Sequence, residues 1–112
     1  MNRLIALGAI MVATTSLTLG AGPRDTKLEF QNSRVTVLRI RIAPHEKIPI
    51  HDVTPRAIVY LTDSHVKLIF PDGRVRNQDI KAGEVKWFSA QRHGGENVSS
   101  RAVEYIAIIP KP

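Results

Sequence analysis

The stretch Val66-Lys67-Leu68-Ile69-Phe70-Pro71-Asp72-Gly73-Arg74-Val75 decides the fold class. Val66, Leu68 and Phe70 alternate with Lys67 and Ile69, the two-residue period of a strand. Pro71-Asp72-Gly73 supplies proline and glycine where a tight reversal needs them, and Val75 restarts the pattern. The same grammar recurs on both sides. Arg34 to Ile42 sets Thr36, Leu38, Ile40 and Ile42 on one face and Val37, Arg39 and Arg41 on the other, until Ala43-Pro44 ends it. Ala57 to Leu61 is almost continuously apolar, the pattern of a central strand covered on both faces. Ala82-Gly83 is a turn before Val85 and Trp87, and the pair Gly94-Gly95 after His93 reads as another turn signal. Ala102 to Ile109 places Val103, Tyr105, Ala107 and Ile109 on one side, and Pro110 and Pro112 stop it. Short β-branched segments at intervals of about ten residues, with no helical period of comparable length, predict an all-β sandwich or barrel.

The first 21 residues follow a different rule. Arg3 precedes a mostly apolar run from Leu4 to Ala13, and Thr14-Thr15-Ser16 lead to the small residues Gly20, Ala21 and Gly22. A charged start, an apolar stretch and a small-residue exit form the pattern of a secretory signal peptide. The strongly apolar part falls short of the roughly 20 residues that a bilayer crossing needs. The expected parse is a signal peptide over 1–21, cut after Ala21, and one domain over 22–112, exported to the periplasm or secreted, with no membrane span in the mature protein. No cysteine occurs in the 112 residues. A disulfide framework, a thiol nucleophile and a lipid-modified cysteine are thereby excluded.

Removing the segment's one cation, Arg3, takes the formal charge from +6 to +5. The cations are scattered over several strands, at Arg34, Arg39, Arg41, Lys67, Arg74, Arg76, Lys86 and Arg101, which reads as solvated strand faces rather than a stripe for nucleic acid. Nucleic acid is not an expected partner. Envelope attachment through charge would be released by moderate salt.

The turn spacing, the run Arg56-Ala57-Ile58-Val59-Tyr60-Leu61-Thr62-Asp63 and the stretch from Phe70-Pro71-Asp72-Gly73-Arg74 to Lys81-Ala82-Gly83-Glu84-Val85 resemble the small secreted single-domain cupins. The resemblance covers nearly all of 22–112 and implies a double-stranded β-helix, a jelly-roll barrel of two antiparallel sheets with a ligand or metal site inside its mouth. The family's two metal motifs are matched only in part. His51 falls on the leading histidine of the first, His45 stands where a glycine is usual, and Val53 takes the second histidine's place. Neither Ala57 nor Ile58 can replace the glutamate. In the second motif Gly83, His93 and Asn97 are in register, while Ser89 and Gln91 replace proline and glycine. Two of four metal ligands, His51 and His93, survive.

The resemblance thus implies a barrel-mouth ligand site at His51, His93, Asn97 and Trp87, and at most a weakly held divalent transition metal on the two histidines, since a firm site takes three or more protein ligands. Asp52 points to the face opposite His51. A second reading makes His51 and His93 mouth residues satisfied by hydrogen bonds to each other, to Asn97 or to water, and Trp87 and Phe88 send one ring inward and one outward. Noncatalytic binding of a small molecule, or self-association, stands ahead of a metal-dependent oxygenase- or isomerase-like enzyme, because no other nucleophile-and-base constellation is present. Homodimers are frequent in the family, so a homodimer is expected here.

Overall fold

A computed structural model describes residues 24–112. The signal-peptide segment at 1–21 lies outside the described residues.

Nine strands form among them: β1 (Arg24–Gln31), β2 (Val35–Ile42), β3 (Lys47–Val53), β4 (Arg56–Tyr60), β5 (Ser64–Ile69), β6 (Val75–Ile80), β7 (Val85–Phe88), β8 (Gln91–Asn97) and β9 (Val103–Pro110). They make two sheets, a five-stranded one ordered β1-β2-β9-β4-β7 and a four-stranded one ordered β3-β8-β5-β6, with antiparallel pairing throughout. The all-β reading holds, and its alternation places the core. Ile40, Ile42, Ile58, Tyr60, Ile80, Val103 and Ala107 are buried between the sheets, flanked by Leu38, Ile48, Val66, Phe88, Tyr105 and Ile109. Each large aliphatic side chain taken from water contributes about 1.5–3 kcal/mol. That is the main term opposing chain entropy in a domain without disulfides.

The Pro71-Asp72-Gly73 reversal joins β5 to β6. Gly73 takes φ 89°, where a side chain would be strained, and donates its N–H to the Phe70 carbonyl at 2.9 Å. Asp72 Oδ1 accepts the Arg74 N–H at 3.0 Å, closing the turn. His45, at the position where the cupin pattern has glycine, also adopts positive φ, 63°. Histidine is among the residues that tolerate this region.

Two sequence expectations are corrected. Ala57–Leu61 was expected to be covered on both faces, but β4 alternates: Ile58 and Tyr60 are buried while Ala57 and Val59 lie on the outer side, next to β7, the edge strand. Their neighbours are apolar too, which produces the continuous apolar run in the sequence. Phe30, Val37, Ile108, Ala57 and Trp87 are successive register partners across all five strands of the larger sheet, an apolar row on its outer face. The second correction concerns Gly94-Gly95, which are buried in the middle of β8 rather than in a turn.

The reason for Gly94 is a bulge in the neighbouring strand. Along β3 and β8, Ile48 pairs with Gly95 and His51 with His93, so Pro49 and Ile50 together oppose Gly94 alone. β3 is an edge strand, where a proline and a bulge are both tolerated. A Cβ on Gly94 would lie 2.5 Å from the Ile48 carbonyl oxygen and 2.9 Å from the Ile50 nitrogen. Only glycine lets the bulged backbone come so close.

Candidate functional site

Between the sheets runs a cavity of about 80 Å3. At roughly 10–15 Å3 per water it holds about six waters, or a ligand of comparable size. Its walls are the inward residues of the alternation: Ile42, Ile58, Val66, Leu68 and the polar Gln78 in the body, His51, Arg56, Phe88 and His93 at one end, Tyr60, Ser64 and Tyr105 at the other. The two ends follow from strand direction. Ser64 begins β5 and Phe70 follows its last residue, and the Phe70 ring lies 6.0 Å from that of His93, while Tyr60 pairs with Tyr105 two registers from Ile58–Ala107.

The bulge sets His51 directly across from His93, their rings 6.2 Å apart and nearly perpendicular. Phe70 and Phe88 flank the His93 ring, each with centroids 6.0 Å away. Hydrogen bonds fix both imidazoles in the same way. His51 Nδ1 lies 2.9 Å from the Pro49 carbonyl oxygen, which can only accept, so Nδ1 carries the proton. His93 Nδ1 lies 2.8 Å from Gln91 Oε1, whose amide is oriented by the bond from Gln91 Nε2 to the Ser89 carbonyl at 3.1 Å. In the neutral rings Nε2 is therefore the acceptor that each histidine offers to the cavity.

Burial holds the His93 pKa below the ordinary histidine value, and the nearby positive charges of His51, Arg76 and Arg56 lower it further. The Arg56 guanidinium is held by Thr54, with Nε donating to the carbonyl at 2.9 Å and a terminal nitrogen to Oγ1 at 3.0 Å. No aspartate or glutamate lines the cavity. At the far end burial raises the Tyr60 pKa strongly, with smaller contributions from Tyr105 and Glu84, so the phenol keeps its proton as a donor.

The depressed His93 pKa carries a pH signature. The unfolded chain takes up a proton near the ordinary value of about 6.5, before the native state does, so the His93 contribution is complete above that value. It is lost as pH falls through about 6.5 and down to the native pKa. Melting curves of wild type and His93→Gln should show a steeper acid decline in wild type between pH 7.5 and 5. Parallel declines would mean that His93 titrates as it does in the unfolded chain.

The sequence brought four residues to this site, and the structure brings two together. His51 and His93 line the cavity. Asn97 does not: it is completely buried, and its side chain bonds the chain's own turns, Nδ2 facing the carbonyls of Ile42, Ala43 and Arg101 and Oδ1 accepting from the Ser99 N–H. Trp87 is 61% exposed on the outer face of β7, and its neighbour Phe88 takes the inward place. Ser64 went unnoticed in the sequence, where a lone serine beside Asp63 reads as part of a turn. The alternation Ser64, Val66, Leu68 was the signal that could have found it.

A firmly held transition metal does not fit these residues. No group of three or more histidine, cysteine, aspartate or glutamate side chains that could hold an ion occurs among the described residues. Asp52, beside His51, faces outward and pairs with Arg92 at 2.9 Å. Two imidazoles fall short of the three or four protein donors of a stable site.

No known family's sequence pattern matches the chain, and no curated protein matches it. Solved structures do. A cupin domain from Bordetella pertussis Tohama I superposes with a TM-score of 0.74 at 19% identity, over 81% of this chain and 96% of that one. A polyketide cyclase from Streptomyces resistomycificus gives 0.65 at 17% identity, over 79% of this chain and 65% of its own. A Klebsiella pneumoniae protein with a double-stranded β-helix domain gives 0.62 at 15% identity, over 80% of this chain and 78% of its own. At such identities the likeness speaks for architecture, and it agrees with the sheet order and the internal cavity: this chain is a small single domain with the cupin fold, a double-stranded β-helix.

Proposed function

We propose that this chain is an exported binding domain that holds a small molecule in the cavity between its sheets, without metal chemistry. One observation carries the reading: a continuous cavity, walled mainly by aliphatic side chains with the amide of Gln78 among them, with two oriented imidazoles at one end and, among the described residues, no third donor to complete a metal site. Few convergent polar groups on apolar walls are the usual form of a small-ligand site. Export is supported by the pattern of residues 1–21. Cupin-fold neighbours include enzymes, among them the polyketide cyclase and a sugar phosphate isomerase from Silicibacter pomeroyi. The fold is shared with them, and fold does not carry chemistry.

The test is a fragment screen by methyl NMR on the purified chain, with metal content measured by elemental mass spectrometry beside a His51→Ala/His93→Ala double variant. Expected are fragments that shift the Ile58, Val66 and Leu68 methyls, and well below one metal equivalent in both proteins. Near one equivalent in wild type, lost in the double variant, would overturn the metal-free reading. Fragments that reach only outer-surface methyls would overturn the cavity.

Self-association is a second reading favoured by a specific observation, the apolar row Phe30–Val37–Ile108–Ala57–Trp87. With strands about 4.8 Å apart the row is roughly 20 Å long, and Phe30 and Trp87 are 53% and 61% exposed at its ends. A second copy meeting it face to face would bury both aromatics. Light scattering at 100 μM should give a dimer for wild type and a monomer for Trp87→Arg; a monomeric wild type would remove this reading.

A further inference from the structure

Ser64 is 1% exposed, lines the cavity at the end away from the imidazoles, and its Oγ has no hydrogen-bond partner in the protein. It is the one buried side-chain polar atom of this kind among the described residues. A hydroxyl left so costs roughly 1–3 kcal/mol, and native structures rarely leave such a group unserved. Tyr60 and Tyr105, their rings 5.8 Å apart, stand at the same end. At the opposite end the Pro49 and Gln91 oxygens occupy both Nδ1 positions, leaving two Nε2 acceptors. Between the ends lie Ile58, Val66 and Leu68, with Gln78 the polar side chain beside Val66.

Each candidate ligand chemistry meets these groups differently. A cation would find no carboxylate on the cavity wall and Arg56 beside the imidazoles. An anion would meet Nε2 lone pairs wherever the rings are neutral, and the Arg56 guanidinium, whose Nε and one terminal nitrogen are already engaged by Thr54. A hydroxyl suits both ends: it donates to Nε2, and it gives or accepts at a serine.

We propose that the cavity takes a neutral molecule with an apolar body and a hydroxyl at each end, one donating to Nε2 of His51 or His93 and the other exchanging a hydrogen bond with Ser64 Oγ. The inference rests on reading the cavity as a binding site, and adds to it the class of ligand. The six residue steps from Ser64 to Phe70 rise about 20 Å, an upper bound on the spacing because side chains reach inward from both ends.

The probes are linear α,ω-diols from 1,4-butanediol to 1,8-octanediol, each beside the monohydric alcohol and the plain carboxylate of equal carbon number, titrated while the methyl and imidazole signals are followed by NMR. At one chain length the diol should bind roughly three- to tenfold tighter than the alcohol, the size of one net hydrogen bond. Ser64→Ala should erase that difference, the diol binding no tighter than the alcohol of equal carbon number. This variant removes an unpaired hydroxyl, so it should fold, and its melting temperature checks that it does. Diols no better than alcohols at any length, a preference that survives Ser64→Ala, or carboxylates binding tightest would each overturn the inference. In the first two cases, alcohols that still shift the cavity methyls would leave the binding-site reading standing. No response to any probe would also overturn the inference, while the fragment screen judges the broader reading independently.

Discussion

Asn97→Leu should cost about 4 kcal/mol, the largest effect of any single substitution considered. Asn97 is 0% exposed, and its side chain is a hub rather than a surface. Nδ2 lies 2.7 Å from the Arg101 carbonyl, 3.1 Å from that of Ala43 and 3.3 Å from that of Ile42, and Oδ1 accepts the Ser99 N–H at 3.0 Å. Its own N–H donates to the Glu46 carbonyl at 3.0 Å. These bonds tie the end of β8 to the β2–β3 loop and to the turn before β9. Leucine has a similar volume and no polar atom, so the space is filled, but the buried Ile42 carbonyl and the half-buried Ala43 carbonyl and Ser99 N–H lose this partner, while the Arg101 carbonyl keeps the Ser99 hydroxyl. At about 1–3 kcal/mol for each group that water cannot reach, the loss is a large share of the 5–15 kcal/mol that holds a domain of this size. At 4–8 °C per kcal/mol, thermal denaturation should show a midpoint lower by on the order of 20 °C. A drop below about 5 °C would show that water replaces the side chain and that the hub is dispensable.

Gly94→Ala should be nearly as costly and should reach the site as well as the fold. The added Cβ meets backbone on three sides, the Ile48 carbonyl oxygen at 2.5 Å, the Ile50 nitrogen at 2.9 Å and the Pro49 carbonyl carbon at 3.0 Å. No side chain can swing away to relieve it. β3 must move outward, and overpacking of this kind costs about 1–3 kcal/mol, to which the disturbed β3–β8 ladder adds. Because the same bulge places His51 across from His93, the two imidazole Cε1–H signals should both shift, and ligands should bind more weakly than the stability loss alone requires. Gly95→Ala is the control: its Cβ would sit 3.5 Å from the nearest atoms, ordinary contact. Equal melting temperatures and unchanged imidazole signals in Gly94→Ala would refute this account of the bulge.

The core was legible because alternation is a local property. Ile40 and Ile42 on β2, and Val103 and Ala107 on β9, were placed inside by period two alone, and the structure buries all four. What failed depended on partners. Gly94 and Gly95 carry the turn signal of any glycine pair, and only the bulge on a strand some 45 residues earlier explains why β8 needs one of them. Ala57 and Val59 read as doubly covered because the run they belong to is continuously apolar, and only register shows them on the outer face beside Ile108 and Ile106. Within the site, His51 and His93 stood out by residue type, whereas Ser64 did not, because a serine becomes notable only once it is buried without a partner. Asn97 and Trp87 were drawn into the site by motif position, which says nothing of which way a side chain faces.

The bulge also sets the phase of β3. Counted at period two from the inward Ile48, Ile50 and Asp52 would face the cavity and His51 would face solvent. The extra residue reverses that parity: Ile50 is 37% exposed, Asp52 pairs outside with Arg92, and His51 and Val53 line the interior. The bulge, by letting Pro49 and Ile50 share one position opposite Gly94, thus decides whether β3 turns His51 or Asp52 to the interior. Were β3 regular, the same residues in the same order would turn Ile50 and Asp52 inward, so an irregularity of the backbone, and not the choice of side chains, sets the chemistry of this end of the interior.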